Sequence, residues 1–219
     1  FKNIYFKYFF SVFCLLVLIN GSNFIDGLNG LMLGYFTSII SIIFYLNLNV
    51  SLEIENNLII SILLILVFLF ILNINNKLFM GDSGSYVLSL LSGYLLIKIY
   101  EVNTQISPYF VILLLWYPCF ENLFSIIRKF SLKKSPITAD NNHLHQLIFI
   151  YLKKKLVSKN FDINNFSSFI IIFYNLFIFS ISLIDPSNSQ LQITLVIINI
   201  IIYLFTYFKL FSFRYKIKF

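Results

Sequence analysis

The chain has 219 residues, 59% hydrophobic, 19% aromatic and only 11% charged, with a mean hydropathy of +0.86. Soluble domains are about 45–50% apolar and about a quarter charged, so the composition excludes a soluble protein, and the aromatic content excludes disorder. The formal charge of +7 does not mark a nucleic-acid binder, because the basic residues gather at the ends of apolar stretches, as in a membrane protein.

A bilayer core is crossed by roughly 20 mostly apolar residues in a helix. Taken in chain order, the apolar runs predict an all-α polytopic transmembrane helix bundle with seven spans near 4–20, 29–46, 58–74, 84–100, 108–127, 166–184 and 190–208. They read as a single integral-membrane domain over 1–219, with 128–165 as a long loop. Cys14 and Cys119 lie inside apolar runs and have neither disulfide-framework nor metal-site spacing. The chain opens on Phe1 with no signal-peptide pattern, and is expected to lack its natural amino terminus.

Seven spans put residues 20–28, 75–83, 128–165 and 209–219 on one side of the membrane. Those segments carry Lys77, Arg128, Lys129, Lys133, Lys134, Lys153, Lys154, Lys155, Lys159, Lys209, Arg214, Lys216 and Lys218, against Lys2, Lys7 and Lys98 on the other side. The positive-inside rule makes the rich side cytoplasmic. The unusual polar residues fall on that same side, in three segments.

The first is NGSNFIDGLNGL, residues 20–31, in which Asn20, Asn23, Asp26 and Asn29 recur every third position among glycines. Glycine makes an interruption of the helix cheap, so a broken helix lining a polar cavity is expected. An aspartate between two apolar spans costs about 2.5–3.5 kcal/mol on insertion scales, which calls for a partner such as a cation. An Asx-rich turn joining two helices is the plainer alternative. The second segment is NINNKLFMGDSGS, residues 73–85, with Asn73, Lys77 and Asp82 between two spans. Ser83 or Ser85 is expected to cap a helix beginning near residue 84, leaving Asp82 at an amino terminus that favours anions, phosphate included. Asp82 acting only as a cap is the alternative there.

The third segment begins in the fifth span, YPCFENLFSIIRK, where Pro118 is expected to kink the helix. Glu121 and Arg128 share a face two turns apart, a spacing suited to holding other groups rather than each other. SPITADNNHLHQL follows, with the only two histidines, His143 and His145. In a helix the two side chains diverge by about 200°, and in an extended loop they oppose each other, so neither form makes a ready zinc site. Imidazoles in a basic loop suit contact with phosphate or with developing charge; two solvent-exposed histidines is the alternative. The run from Lys153 to Lys155, with Lys159, reads as a surface facing lipid headgroups.

These three segments, in this order, resemble the polyprenyl-phosphate N-acetylhexosamine-1-phosphate transferases, integral-membrane enzymes related to the phospho-N-acetylmuramoyl-pentapeptide transferases. NGSNFIDGLNGL looks like the family's NxxNxxDGxDGL, FMGDSGS its FMGDxGS, and ADNNHLHQL its PDxxHxHH, while PCFENLFSIIRK is similar to the stretch that leads into the histidine loop. The single-residue spacer between the histidines sides with the sugar-phosphate branch rather than the pentapeptide branch. The resemblance implies a bacterial inner-membrane enzyme, multi-pass, with a cytoplasmic active site. It would transfer an N-acetylhexosamine-1-phosphate from a UDP-N-acetylhexosamine to polyprenyl (undecaprenyl) phosphate and release UMP, initiating a lipid-linked glycan.

By the same resemblance, Asp82 and Asp26 would be metal ligands for Mg²⁺, or Mn²⁺ in its place, and His143 and His145 would join them as catalytic residues at the donor phosphate. Asn20, Asn23, Asn29 and Asn73 would bind nucleotide or sugar, and Lys77 and Arg128 phosphate. The implied partners are the two substrates and membrane lipid, with a homodimer as the oligomeric expectation and no nucleic acid. Asn29 replaces the family's second aspartate, Gln146 its last histidine, and Ala139–Asp140 its proline–aspartate opening. The family's upstream aspartate pair has no counterpart here, so the piece alone is expected to be inactive. A secondary transporter, which would place its polar groups near the midplane, and a non-catalytic membrane remnant are the competing expectations.

Overall fold

The computed structural model describes residues 4–50, 52, 54–131, 133, 135, 141–156 and 162–216. Lys2, Lys134, Lys159 and Lys218 of the charge count, and the Ala139–Asp140 opening, lie outside the described residues. Those described form eight helices and no strand: α1 Ile4–Ile25, α2 Leu31–Val50, α3 Asn56–Ile74, α4 Gly81–Val102, α5 Pro108–Ser131, α6 Leu144–Lys155, α7 Ile163–Ser182 and α8 Ser189–Tyr215. All but α6 are long and apolar enough to cross a membrane, so the expected all-helical bundle with seven spans is what the chain forms.

α2 is the central helix, with Tyr35, Phe36 and Ile39 fully enclosed, whereas α3 turns Leu64 and Phe68 outward, as a helix at the lipid boundary does. α1 packs on α4 and α5, α2 on α3 and α7, and α5 on α8. Small residues set how close these helices come. A Cβ at Gly21 would stand 2.0 Å from the Pro118 carbonyl oxygen, so α1 and α5 touch backbone to backbone there. Gly93 of α4 instead makes room for the side chains of Leu15 and Leu18 of α1.

Pro118 sits inside α5. Lacking an N–H, it cannot donate to the Leu114 carbonyl one turn earlier. The Tyr35 hydroxyl of α2 donates to that carbonyl at 2.7 Å, so the proline's missing bond is filled from the neighbouring helix and the pair locks α2 to α5.

At one end of the bundle the Ser107 and Ser189 hydroxyls meet at 2.9 Å, and Asn47 donates to the Ile54 carbonyl at 2.7 Å. The other end gathers the close of α1, the α3–α4 and α5–α6 connections, the start of α7 and the close of α8, with all three polar segments of the sequence.

Candidate active site

α1 continues beyond the expected end of the first span near residue 20. It runs on through Asn20 and Asn23 to Ile25, because Gly21 serves the contact with Pro118, and the chain turns only over 26–30. Gly30 adopts φ +77, open to glycine at little cost, and its N–H donates to the buried Asn73 side chain. Asn73 in turn donates to the Leu78 carbonyl at 2.7 Å. The Asn29 N–H donates to Asn164 at 2.8 Å and its side chain to Asn76. Asn29 and Asn73, expected at nucleotide or sugar, thus tie the first polar segment to the second and to α7. Asn20 is exposed, and Asn23 is half-buried with its amide 3.5 Å from the Tyr86 hydroxyl.

α4 begins at Gly81, three residues earlier than expected, so Ser83 and Ser85 lie inside the helix and neither caps it. The Ser85 hydroxyl donates to the Asp82 carbonyl at 2.9 Å, and Met80 at the cap position supplies no side-chain acceptor. Asp26, from the turn after α1, lies near enough to the start of α4 for the Gly81 N–H to favour its ionised form. Asp82, exposed in the first turn of α4, lies close enough to Asp26 for its charge to be felt there. Burial, then the repulsion from Asp82, pushes the Asp26 carboxyl up to about 6, against the pull of the Gly81 N–H. Two carboxylates therefore lie near the electropositive end of one helix. Lys77 is exposed beside this turn.

The histidine segment rests on α5. Glu121 is 0% exposed, and its carboxylate lies 2.9 Å from His143 Nδ1 and 3.4 Å from the Leu144 N–H. His143 occupies the cap of α6 in an extended conformation, φ −73 and ψ 150, and Gln146 accepts its N–H at 3.2 Å. Gln146, the departure from the family pattern, thus closes the first turn of α6. Neither expected arrangement of the two imidazoles occurs. His143 is still extended while His145 is already helical, and the rings stack at 5.7 Å with planes 8° apart.

The rings face the first polar segment. Phe24 lies 4.9 Å from His143, with the Lys129 ammonium 5.8 Å over the Phe24 ring. A Cβ at Gly27 would fall 2.9 Å from His145 Nε2. His145 is 0% exposed and neither ring nitrogen has a hydrogen-bond partner among the described residues. Burial above all, with His143 acting in the same direction and Glu121 opposing, pushes it down to about 4, so this imidazole is neutral at pH 7.

Arg128, expected at phosphate, is buried at this end of α5. It donates to the Asn142 carbonyl at 2.7 Å and the Tyr207 hydroxyl at 3.0 Å, while Arg214 and Tyr215 of α8 grip the Asn142 side chain at 3.1 and 2.8 Å. The segment entering α6 is thereby held from two sides. Glu121 and Arg128 hold other groups rather than each other, as their spacing on α5 predicts.

Asp26 feels the charge of Asp82, Gly27 meets His145, and Phe24 meets His143, so the three segments share one end of the bundle rather than its midplane. Glu121, Phe24 and Lys129 were not among the site residues expected from sequence. A lone carboxylate inside an apolar span, the signal at Glu121, was available. Among the described residues, no group of three or more His, Cys, Asp or Glu side chains could hold a metal; the two carboxylates expected as ligands, Asp26 and Asp82, lie at this end.

Residues 2–100 match the model of glycosyl transferase family 4. Over those residues the chain is similar to that family. A Bacillus subtilis (strain 168) protein, a "Probable undecaprenyl-phosphate N-acetylglucosaminyl 1-phosphate transferase", is 32% identical over 198 residues, covering 88% of this chain and 51% of its own length. The "Undecaprenyl-phosphate alpha-N-acetylglucosaminyl 1-phosphate transferase" of Escherichia coli (strain K12) is 30% identical over 149 residues, 65% of this chain and 41% of its own. One of the same description from Thermotoga maritima is 29% identical over 140 residues, 63% of this chain and 42% of its own. The chain spans about half the length of the curated relatives it matches. No solved structure matches it.

Proposed function

We propose that the protein carrying this chain is an undecaprenyl-phosphate N-acetylglucosamine-1-phosphate transferase of a bacterial inner membrane, working at the cytoplasmic face. In that reaction an oxygen of the lipid phosphate attacks the sugar-bearing phosphorus of a UDP-sugar, the bond to the UMP oxygen breaks, and UMP leaves. The observation that carries the reading is the Asp26–Asp82 pair on the amino terminus of α4, backed by Glu121, His143 and His145. The names of the relatives supply the sugar and the lipid.

The donor set fits Mg²⁺, which binds through one or two carboxylates and keeps its remaining positions for water and phosphate oxygens. Asp26 and Asp82 would hold it, and their repulsion, which raises Asp26, is what a divalent cation would relieve. When bound, the cation neutralises charge on the donor diphosphate, the main requirement of phosphoryl transfer besides positioning. The chain does the positioning. The first N–H groups of α4 face an anion favourably, and exposed Asn20 and Lys77 flank that end for nucleotide and phosphate. Glu121 fixes the His143 ring and its tautomer. His145, neutral and buried, wedges the turn that carries Asp26.

The test uses the full-length protein in detergent with UDP-N-acetylglucosamine, undecaprenyl phosphate and Mg²⁺. UMP release that disappears in Asp82→Asn is the expected result. An unchanged rate in that variant, or no release with any UDP-amino sugar, overturns the proposal.

A further inference from the structure

The basic run on α6 has no part in the transfer site, and the structure gives it a setting of its own. α6 ends against α8, and the two helices enclose a groove of about 450 Å³ lined by Tyr151 and Lys155 from α6 and by Phe205, Thr206, Lys209 and Phe213 from α8. Tyr151 meets the Phe213 ring edge-on at 4.9 Å, and the Lys209 ammonium lies 5.9 Å over the Phe205 ring. No carboxylate among the described residues pairs with Lys155 or Lys209.

The depth of the groove follows from helix length. α8 has 27 residues, about 40 Å at 1.5 Å per residue, against a hydrocarbon core of about 30 Å. Ser189 begins α8 at the opposite end of the bundle, on Ser107, so Lys209 lies about 30 Å away along the axis, at headgroup level. Phe205, one turn deeper, reaches acyl-chain depth, and Tyr151 has the amphipathic character of residues found at the interface. The groove therefore offers an aromatic floor to a hydrocarbon chain and two uncompensated ammonium groups to a phosphate at the matching depth.

We propose that this groove binds an anionic phospholipid of the surrounding bilayer, with its phosphodiester between Lys155 and Lys209 and an acyl chain along Phe205. Two unpaired positive charges select an anionic lipid over a zwitterionic one, because the headgroup of the latter brings its own cation. Since α6 begins just after His143, a lipid seated at the far end of that helix braces it on α8.

The test is native mass spectrometry of the full-length protein in detergent, offered phosphatidylglycerol and phosphatidylcholine in equal amounts. Phosphatidylglycerol is retained preferentially, and Lys155→Gln with Lys209→Gln lowers its retention about thirtyfold, the combined weight of two lysines at a lipid surface. The paired arginine variants restore retention, the single glutamine variants fall between, and Lys98→Gln at the opposite end has no effect. Inorganic phosphate does not displace the lipid. Equal retention by the double glutamine variant, no preference for phosphatidylglycerol, displacement by inorganic phosphate, or replacement by undecaprenyl phosphate alone each overturns the proposal. Retained mass requires no turnover, so such a failure leaves the transferase reading standing.

Discussion

Replacing Glu121 by alanine removes one carboxylate that holds two buried donors. The bond to His143 Nδ1, at 2.9 Å, is the stronger, and the contacts to the Leu144 N–H, at 3.4 Å to each oxygen, are marginal. Leaving a buried polar group without its partner costs about 1–3 kcal/mol. With the second contact weak, the sum lies near the top of that range for a single group, about 3 kcal/mol. At about 1.4 kcal/mol per decade, this amounts to a loss of roughly a hundredfold in kcat for UMP release if the imidazole orientation is what the carboxylate protects. Glutamine still offers an acceptor oxygen, so Glu121→Gln is expected to lose only about tenfold. Because Glu121 acts through His143, adding His143→Ala to Glu121→Ala costs little more than either change alone. Wild-type kcat in Glu121→Ala, or strictly additive losses in the double variant, refutes the reasoning.

The Tyr35–Leu114 bond supports a second cycle. Tyr35→Phe leaves the Leu114 carbonyl without a donor and destabilises the protein in detergent by about 1–3 kcal/mol. Pro118→Ala restores a backbone donor and recovers most of that loss; thermal unfolding of the four proteins checks it, and no recovery contradicts it. Gly27→Ala brings a methyl group to 2.9 Å from His145 Nε2 and so displaces the turn carrying Asp26. UMP release falls at least tenfold while expression and unfolding temperature stay near wild type, and unchanged release would remove His145 from the positioning of that turn. The raised Asp26 carboxyl, at about 6, sets a sign for pH. Above that value the group is ionised and free to ligate, and below it a proton competes with the cation. Divalent-cation affinity is therefore flat above about pH 7 and declines as pH falls through about 6; titrations at stepped pH check this, and constant affinity down to about pH 5 would be inconsistent with it.

Much of this fold was legible because lipid imposes a coarse rule: each apolar run long enough to cross becomes a helix. The ends were less legible. α1 runs past Gly21 because that glycine is used against Pro118, a partner nearly a hundred positions away, and α4 starts at Gly81 with no side-chain cap from a serine of its own. α6 was hidden because it is a 12-residue helix with a basic end, too short for a span. In the candidate site, the three segments were visible as motifs, whereas their internal wiring was not. The 22 positions between Glu121 and His143, and the stacking of two imidazoles astride a helix cap, are products of tertiary packing. The same packing draws Arg128, Asn29 and Asn73 into holding the segments together.

The central claim, that Asp26 and Asp82 jointly hold one divalent cation, is tested most directly by Mn²⁺ binding to the full-length protein in the presence of UDP, read by electron paramagnetic resonance. One cation per protein, with affinity reduced at least tenfold in Asp26→Asn and again in Asp82→Asn, is the predicted result. Wild-type affinity in either variant would contradict the account.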